Sequence, residues 1–167
     1  MKVRKGKHAF KPTRTRLNIK PRHLFVGAIF DQEATYTLNR GDQWDWNKGG
    51  GLSFNLLTNH RRSAMYAWRW NPETIRFEFT DYIHDGREII KGTQIFSARA
   101  GEPVSIWIYF KSRAIFYRFT SGNETKSYFV PVKFSPGFIA RRIGAWFGGN
   151  RPAPRNLEFT EYQNQVQ

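Results

Sequence analysis

The chain has 167 residues, of which 40% are hydrophobic and 17% aromatic, enough for one folded domain with its own core. It contains no cysteine, which excludes disulfides, thiolate zinc sites and cysteine nucleophiles. The net charge of +14 favours polyanionic partners such as nucleic acid, acidic polysaccharide or an acidic protein surface. No run of about 18 apolar residues occurs, so neither a membrane span nor a membrane partner is predicted.

The positive charge is concentrated near the N-terminus. Nine of the 27 Lys and Arg residues fall within residues 1–24, where Asp and Glu are absent. Because this stretch has little apolar content and no periodicity, residues 1–23 are predicted to form an extended basic arm that is disordered by itself. The arm is expected to bind partner proteins, or nucleic acid without sequence preference, and a solvated tail is the alternative. Its cations are Lys2, Arg4, Lys5, Lys7, Lys11, Arg14, Arg16, Lys20 and Arg22.

Residues 24–167 are predicted to form a β-sandwich domain. Short apolar or alternating runs predict strands over residues 24–30, 34–38, 51–57, 63–70, 74–83, 87–96, 103–110, 114–119, 125–132, 138–147 and 156–162. Asp85-Gly86 supplies the positive φ of a tight hairpin turn between two of them. Only residues 138–147 also fit a helix. So many short strands at close spacing favour an antiparallel sandwich of jelly-roll type.

The stretch "AWFGGNRPAPRNLEF", residues 145–159, precedes the last predicted strand. Gly148 and Gly149 permit a tight turn, and Pro152 and Pro154 stiffen the chain and remove two hydrogen-bond donors. A rigid corner that leads into the terminal strand is therefore favoured over a ligand-binding loop.

This corner and two further stretches resemble small β-sandwich proteins of Bacteroidetes and their phages. The stretches are "WNKGGGLSFN" (residues 46–55) and "NHRRSAMYAWRWNPETIRFEFTDYIHDGREI" (residues 59–89). The resemblance covers about residues 44 to 162 and implies a concanavalin-like jelly roll, the fold of lectins, glycan-binding modules and some polysaccharide lyases. Arg155-Asn156 departs from the His-Asp pair of the family, so any chemistry of that pair is expected to be lost here.

Several residues could serve a glycan site or a metal site. Trp44 and Trp46 are predicted to share one face of an extended segment, where they could stack on a sugar with His60 and Arg69 nearby, although a core role is favoured. A lyase would need a Tyr or His base and a cation or amide, which His60, Arg69, Tyr82 and Gln43 could supply if they converge. Asp81, Asp85, Asp42 and Asp45 have loop spacings that could suit calcium, but neither a metal nor a cofactor is predicted.

Together these observations predict a non-enzymatic structural or accessory protein of a larger assembly. The most plausible form is a phage virion or capsid-associated protein, located in the virion and anchored to other subunits by the basic arm. The alternative is a glycan-binding, lectin-like module, and the third hypothesis is a polysaccharide lyase. No catalytic residue is assigned.

Overall fold

A computed structural model of the protein describes residues 1–11, 16–58 and 60–164, and it is almost entirely β. Two short 3-10 helices, Gln32–Ala34 and Arg40–Trp44, precede the fourth strand. The strands are β1 (Lys2–Val3), β2 (Leu17–Ile19), β3 (His23–Ile29), β4 (Asn47–Ser53), β5 (Arg62–Asn71), β6 (Arg76–Asp85), β7 (Glu88–Lys91), β8 (Phe96–Ala98), β9 (Pro103–Lys111), β10 (Ala114–Ser121), β11 (Glu124–Pro131), β12 (Ile139–Ile143), β13 (Leu157–Glu158) and β14 (Thr160–Asn164).

The strands form two antiparallel sheets that pack face to face. Within the described residues, sheet I has the order β2-β12-β4-β5-β6-β7, with β8 also paired to β6. Sheet II has the order β11-β10-β9-β3-β14, and β1 pairs with β13 in a separate ribbon. The antiparallel sandwich predicted from the strand spacing is therefore confirmed.

The core lies between the sheets and is rich in aromatic rings. Along β9 and β3, every second side chain is buried while the alternate ones remain partly exposed, as a sheet with one face on the core requires. Trp68 of β5 is fully buried, and Phe30 lies 4.7 Å from it and 4.4 Å from Phe159 between ring centres. This stacking joins sheet I to the chain segments next to β3 and β14.

The basic N-terminal stretch is packed against the sandwich rather than detached from it. Val3 and Phe10 are fully buried, and β1 pairs with β13. Ala9 bridges to Trp146, and β2 extends the edge of sheet I beside β12. A few well-placed apolar side chains and backbone ladders thus anchor a segment whose average composition is polar, and its disorder in isolation stays a prediction.

Some predicted strand bounds also change. Residues 34–38 do not form a strand, because side chains satisfy their backbone: Leu38 N–H donates to Gln43 Oε1, and the Thr35 carbonyl accepts from Arg155. Residues 87–96 divide into β7 and the start of β8. Residues 138–147 contain a strand, β12, and not a helix.

The stretch after Trp146 is the rigid corner that the sequence favours. Gly148 has φ +63°, and a Cβ there would lie 2.6 Å from the Arg151 carbonyl oxygen. Its N–H donates to Asn47 Oδ1 at 2.6 Å. Ala153 is buried and exchanges backbone hydrogen bonds with Gly6 and Lys7. The corner is thus held from two sides before the chain enters β13.

None of the helices in the described ranges is long and apolar enough to cross a bilayer.

Candidate active site

A groove of about 630 Å³ lies on the outward face of sheet I, above β4, β5 and β6. Outward side chains of neighbouring strands meet there in rows, because Gly51 is in register with Met65, and Met65 with Tyr82. In the next row, Ser63 lies opposite His84. Tyr82 and His84, two positions apart in β6, therefore lie on the same outward face, beside Met65 and Ser63 of β5.

The floor of the groove is apolar. Met65, Tyr82 and Ile143 are buried together with Trp46 and Ala67 in a cluster separate from the main core. This cluster keeps water away from one side of the groove, which strengthens electrostatic interactions among the groups above it.

The glycines of β4 are required by close packing. A Cβ on Gly49 would overlap the ring of Tyr66, and one on Gly51 would overlap the backbone of Ala64 and Met65. The ladder between β4 and β5 shifts between Lys48 and Gly51. The run of three glycines thus lets β4 carry Lys48 into the groove at an irregular point of the sheet.

One wall of the groove comes from the corner and the N-terminal stretch. The Trp146 N–H donates to the Lys48 carbonyl, and the Lys48 N–H donates to the Trp146 carbonyl, each at 2.8 Å. The Trp146 ring is 44% exposed and stacks on His8, with ring centres 5.1 Å apart and planes 10° apart. Gly149 and Asn150 continue this wall. The corner therefore also shapes a ligand-sized cavity.

Four polar side chains converge over the apolar floor. The ring of His84 lies 5.1 Å from that of His60 and 5.5 Å from that of Tyr82. The Lys48 ammonium nitrogen lies 5.1 Å from the centre of the Tyr82 ring. Two imidazoles, a phenol and an ammonium group thus surround one small volume.

Burial keeps His84 neutral. The pKa of His84 is lowered to about 4, first by burial and then by the neighbouring His60 and Lys48. At neutral pH the imidazole is therefore unprotonated, with one nitrogen able to accept a proton.

Burial also changes the pKa values of Tyr82 and Lys48. It raises the pKa of Tyr82, with a further contribution from Asp45, so the hydroxyl stays protonated at neutral pH. It lowers the pKa of Lys48, helped by the nearby Lys91. A negatively charged ligand group beside Lys48 would reverse that change and be attracted in return.

The described groove lining contains one cationic side chain, Lys48, and Asp45 acts on it from behind the wall. No Asp or Glu belongs to its described lining, and no ion pair engages Lys48 within the described residues. In the same ranges no group of three or more His, Asp or Glu side chains could hold a metal ion. The arrangement suits an anionic ligand rather than a metal.

The predicted sugar-stacking pair lies outside the groove lining. Trp44 ends a 3-10 helix instead of an extended segment, which corrects that prediction, and Trp46 is only 9% exposed. The Arg69 guanidinium lies 4.2 Å from the Trp46 ring centre and 5.2 Å from that of Trp44. Its Nε donates to Glu78 at 2.7 Å. Arg69 therefore contacts the two rings, and its charge is already paired.

The structure separates the predicted lyase residues into two groups. His60 and Tyr82 lie in the groove. Gln43 is buried and bonds Leu38 N–H and the Trp70 carbonyl, so it has a structural role. Convergence of all four predicted residues, Arg69 included, is therefore not found.

Three of the four carboxylates considered for calcium are engaged elsewhere, and Asp45 lies behind Gly149 of the groove wall. Asp81 is buried on the core side and accepts hydrogen bonds from the Tyr128 hydroxyl and from Thr93. Asp85 accepts from Lys133 N–H at 2.7 Å, and Asp42 pairs with Arg151.

The N-terminal cations are mostly solvent-exposed on the packed stretch. Lys2 pairs with Glu158 at 2.8 Å, and Lys20 lies over the ring of Phe138 at 5.1 Å. Arg14 lies outside the described residues. The remaining members, Arg4, Lys5, Lys7, Lys11, Arg16 and Arg22, are exposed. Their binding of a partner stays a prediction.

Arg155 and Asn156 have structural contacts. The Arg155 guanidinium donates to the carbonyls of Thr35 and Gln32, and Asn156 Oδ1 accepts from Lys5 N–H at 2.9 Å. They tie the corner to neighbouring segments, which agrees with the departure noted in the sequence.

Sequence reasoning missed Lys48, His84 and Trp146 as groove residues. One signal was present: Tyr82 and His84 are two positions apart in an alternating strand, so they share a face. Nothing local indicated Lys48 or Trp146, because a bridge between residues far apart in sequence brings them to that face.

No family model matches the chain, and no curated protein matches it. Among solved structures, the chain is similar to an alginate lyase, vAL-1, from Chlorella virus, with 13% identity and a TM-score of 0.56 over 97% of this chain and 81% of that one. A toad ovary galectin in complex with thio-digalactose gives a TM-score of 0.44, with 10% identity over 90% of this chain and 99% of that one. CG-16, a homodimeric agglutinin from chicken liver, gives 0.38, with 7% identity over 88% and 100%.

These likenesses concern the fold. The likeness to the viral lyase supports the predicted jelly-roll sandwich, while an origin in Bacteroidetes or their phages stays a prediction. The prediction that the chain is not an enzyme is corrected, because a lyase shares this fold along nearly the whole chain. The basic stretch that motivated it is packed on the sandwich and contributes Ala9 to one wall of the groove.

Proposed function

We propose that the protein is a polysaccharide lyase that cleaves an acidic, uronate-containing glycan in the groove of sheet I. The observation that carries the proposal is the convergence of Lys48, Tyr82, His84 and His60 in a cavity with no acidic residue in its described lining. The fold likeness to an alginate lyase supports the same class of substrate.

The reaction is a β-elimination. A base removes the proton on the carbon next to the uronate carboxylate, the bond between the neighbouring carbon and the glycosidic oxygen breaks, and a carbon–carbon double bond forms. The departing oxygen takes a proton from an acid. The products are an unsaturated uronate and a chain with a new reducing end, so no water and no cofactor is consumed.

Each step has a suitable group. Lys48 would face the substrate carboxylate and stabilise the negative charge that develops as the proton leaves. Neutral His84 would accept that proton, and a carboxylate bound nearby would raise its low pKa and make it a stronger base. Tyr82, protonated at neutral pH, would supply a proton to the leaving oxygen.

Hydrolysis fits the groove less well. Glycoside hydrolases generally use two carboxylates on either side of the scissile bond. The described lining offers neither, whereas elimination needs only the cation, base and acid that are present.

The test is incubation of the purified protein with several polyuronates, read as the ultraviolet absorbance of the unsaturated product. His84→Gln, Tyr82→Phe and Lys48→Met should each abolish or strongly reduce it. The matched control Lys126→Met, on the edge strand β11 of sheet II and outside the groove lining, should keep activity. An absence of product from every acidic glycan would refute the lyase.

A second function, glycan binding without cleavage, is favoured by the exposed Trp146 ring at the groove wall. An aromatic face beside a polar cavity is a good platform for a sugar ring. This function predicts that an acidic oligosaccharide quenches tryptophan fluorescence, that Trp146→Ala removes the quenching, and that no unsaturated product forms. A role in a phage virion stays a prediction that neither the fold nor the groove addresses.

A further inference from the structure

The outward face of sheet II, on the opposite side of the sandwich from the groove, carries a continuous band of aromatic rings. The aromatic band consists of Phe25, Trp107, Tyr109, Phe116 and Phe129. Consecutive ring centres are 4.6, 5.7, 5.5 and 4.8 Å apart in that order. The band crosses four adjacent strands, from β3 through β9 and β10 to β11.

The core does not explain these rings. Their strand neighbours, such as Ile106, Ile108 and Tyr117, are the residues that point inward and are fully buried. The band residues belong to neither buried apolar cluster, and Phe129 is 55% exposed. A contiguous apolar surface of this kind is unfavourable in water unless a partner uses it.

The face is also positively charged. Lys111 lies over the Phe129 ring at 5.3 Å, and Arg118 lies over the Phe116 ring at 5.7 Å. Among the described strand residues whose side chains point to this face, none is Asp or Glu. The band therefore combines an aromatic surface with uncompensated cations.

A row of hydroxyl groups runs beside the band. Thr120 is in register with Thr125 on one side and with Ser105 on the other. Arg118 is in register with Ser127 and with Trp107. Rings, cations and hydroxyls thus lie side by side on one face of sheet II.

We propose that the aromatic band is a binding surface for an acidic polysaccharide, separate from the groove. The apolar faces of sugar rings would stack on the aromatic rings, carboxylates would pair with Lys111 and Arg118, and sugar hydroxyls would bond the row of Ser and Thr. The proposal does not require that the groove be catalytic. If both hold, the band retains a polymer near the groove and raises its local concentration.

A second copy of the chain fits this face poorly. A two-fold contact would bring the same cations, Lys111 and Arg118, close to their own copies with no described carboxylate between them. Single-stranded nucleic acid shares the negative charge and can also stack on exposed aromatic rings. The row of Ser and Thr hydroxyls beside the rings favours a hydroxyl-rich sugar chain over it.

The experiment is native gel electrophoresis of the whole chain in gels that contain alginate, with His84→Gln and Tyr82→Phe introduced to prevent turnover. Alginate should retard the protein. Trp107→Ala and Phe116→Ala should each weaken the apparent affinity about tenfold. Loss of a ring can affect folding, so the double variant Lys111→Gln, Arg118→Gln provides a second test that changes only exposed side chains. It should also weaken retardation, and thermal melting checks that each variant is folded.

The matched control is Phe138→Ala. Phe138 is 60% exposed and lies beneath Lys20, so it offers the same chemistry away from the band. It should leave retardation unchanged. Equal loss in Phe138→Ala, or full retardation in all the band variants, would overturn the proposal.

Two further measurements identify other binding partners of the aromatic band. Retardation by single-stranded DNA but not by alginate, lost in Trp107→Ala, would make the band a nucleic-acid surface and overturn the proposal. So would a dimer in analytical ultracentrifugation that Phe129→Asp dissociates. A groove without activity would appear as an absence of unsaturated product while the band still binds, so the two proposals can fail separately.

Discussion

The two outward faces of the sandwich have the same kind of backbone and very different chemistry. On sheet I, the corner and the N-terminal stretch form a wall, and His84, Tyr82 and Lys48 are buried enough for their pKa values to move. On sheet II, no segment among the described residues forms such a wall beside the aromatic band. If both proposals hold, binding needs only repeated side chains on a sheet face, whereas proton transfer also needs an added segment that excludes water.

The strongest test of this contrast separates chemistry from binding. His84→Gln or Tyr82→Phe should lower the rate of elimination by about 100-fold to 10,000-fold, because proton transfer by a positioned side chain contributes about that much. Retardation by alginate should remain. The measurement is product absorbance beside gel mobility, and Phe138→Ala, outside both surfaces, is the control. Parallel loss of both signals would mean that the faces do not act independently.

The second prediction concerns the wall. Phe10→Ala should lower the free energy of unfolding by about 3–5 kcal/mol, because it empties a fully buried position in the core. Urea denaturation measures this. Lys7→Ala, an exposed change on the same stretch, should be nearly neutral. A small effect of Phe10→Ala would show that the N-terminal stretch is not integral to the sandwich.

A smaller effect is expected at the corner. Gly148→Ala should destabilise the fold by about 1–3 kcal/mol, since φ is positive and the new Cβ would meet the Arg151 carbonyl oxygen. It should also disturb the groove wall at Gly149 and Asn150 and leave the aromatic band intact. Gly41→Ala is the control, because nothing lies within 4 Å of its Cβ position. Equal melting temperatures for the two variants would contradict this account.

The smallest expected effect is a dependence of stability on pH. The pKa of His84 is about 4 in the folded protein and 6.5 ordinarily, so the unfolded chain binds more protons between these values. The free energy of unfolding should therefore rise by about 1–2 kcal/mol as the pH increases from about 4 to about 6.5. His84→Gln should flatten this part of the curve.

Much of the fold was predictable because its signals are local. Alternation along residues 74–83 and the Asp85-Gly86 turn each depend on a few adjacent residues. The packing of the N-terminal stretch on the sandwich was not predictable, since Val3 and Phe10 are isolated apolar residues in a basic segment, and only their partners show that they are buried.

The groove was only partly predictable. Tyr82 and His84 share a face by strand periodicity, and His60 was a candidate from its chemistry. Lys48 joins them through an irregular point of the ladder and a bridge to Trp146, a residue almost 100 positions away. The aromatic band was missed because alternate aromatic residues in a strand look the same whether the face they form is covered or open.

The pairing of β1 with β13 joins Lys2 to Glu158 and Val3 to Leu157, nearly the full length of the chain apart. Contacts of such large sequence separation carry a high entropic cost of loop closure and are associated with slow folding. During synthesis, Val3 would have to wait for almost every later residue before its partner exists. The cavity wall that depends on this stretch should accordingly be among the last parts of the molecule to mature.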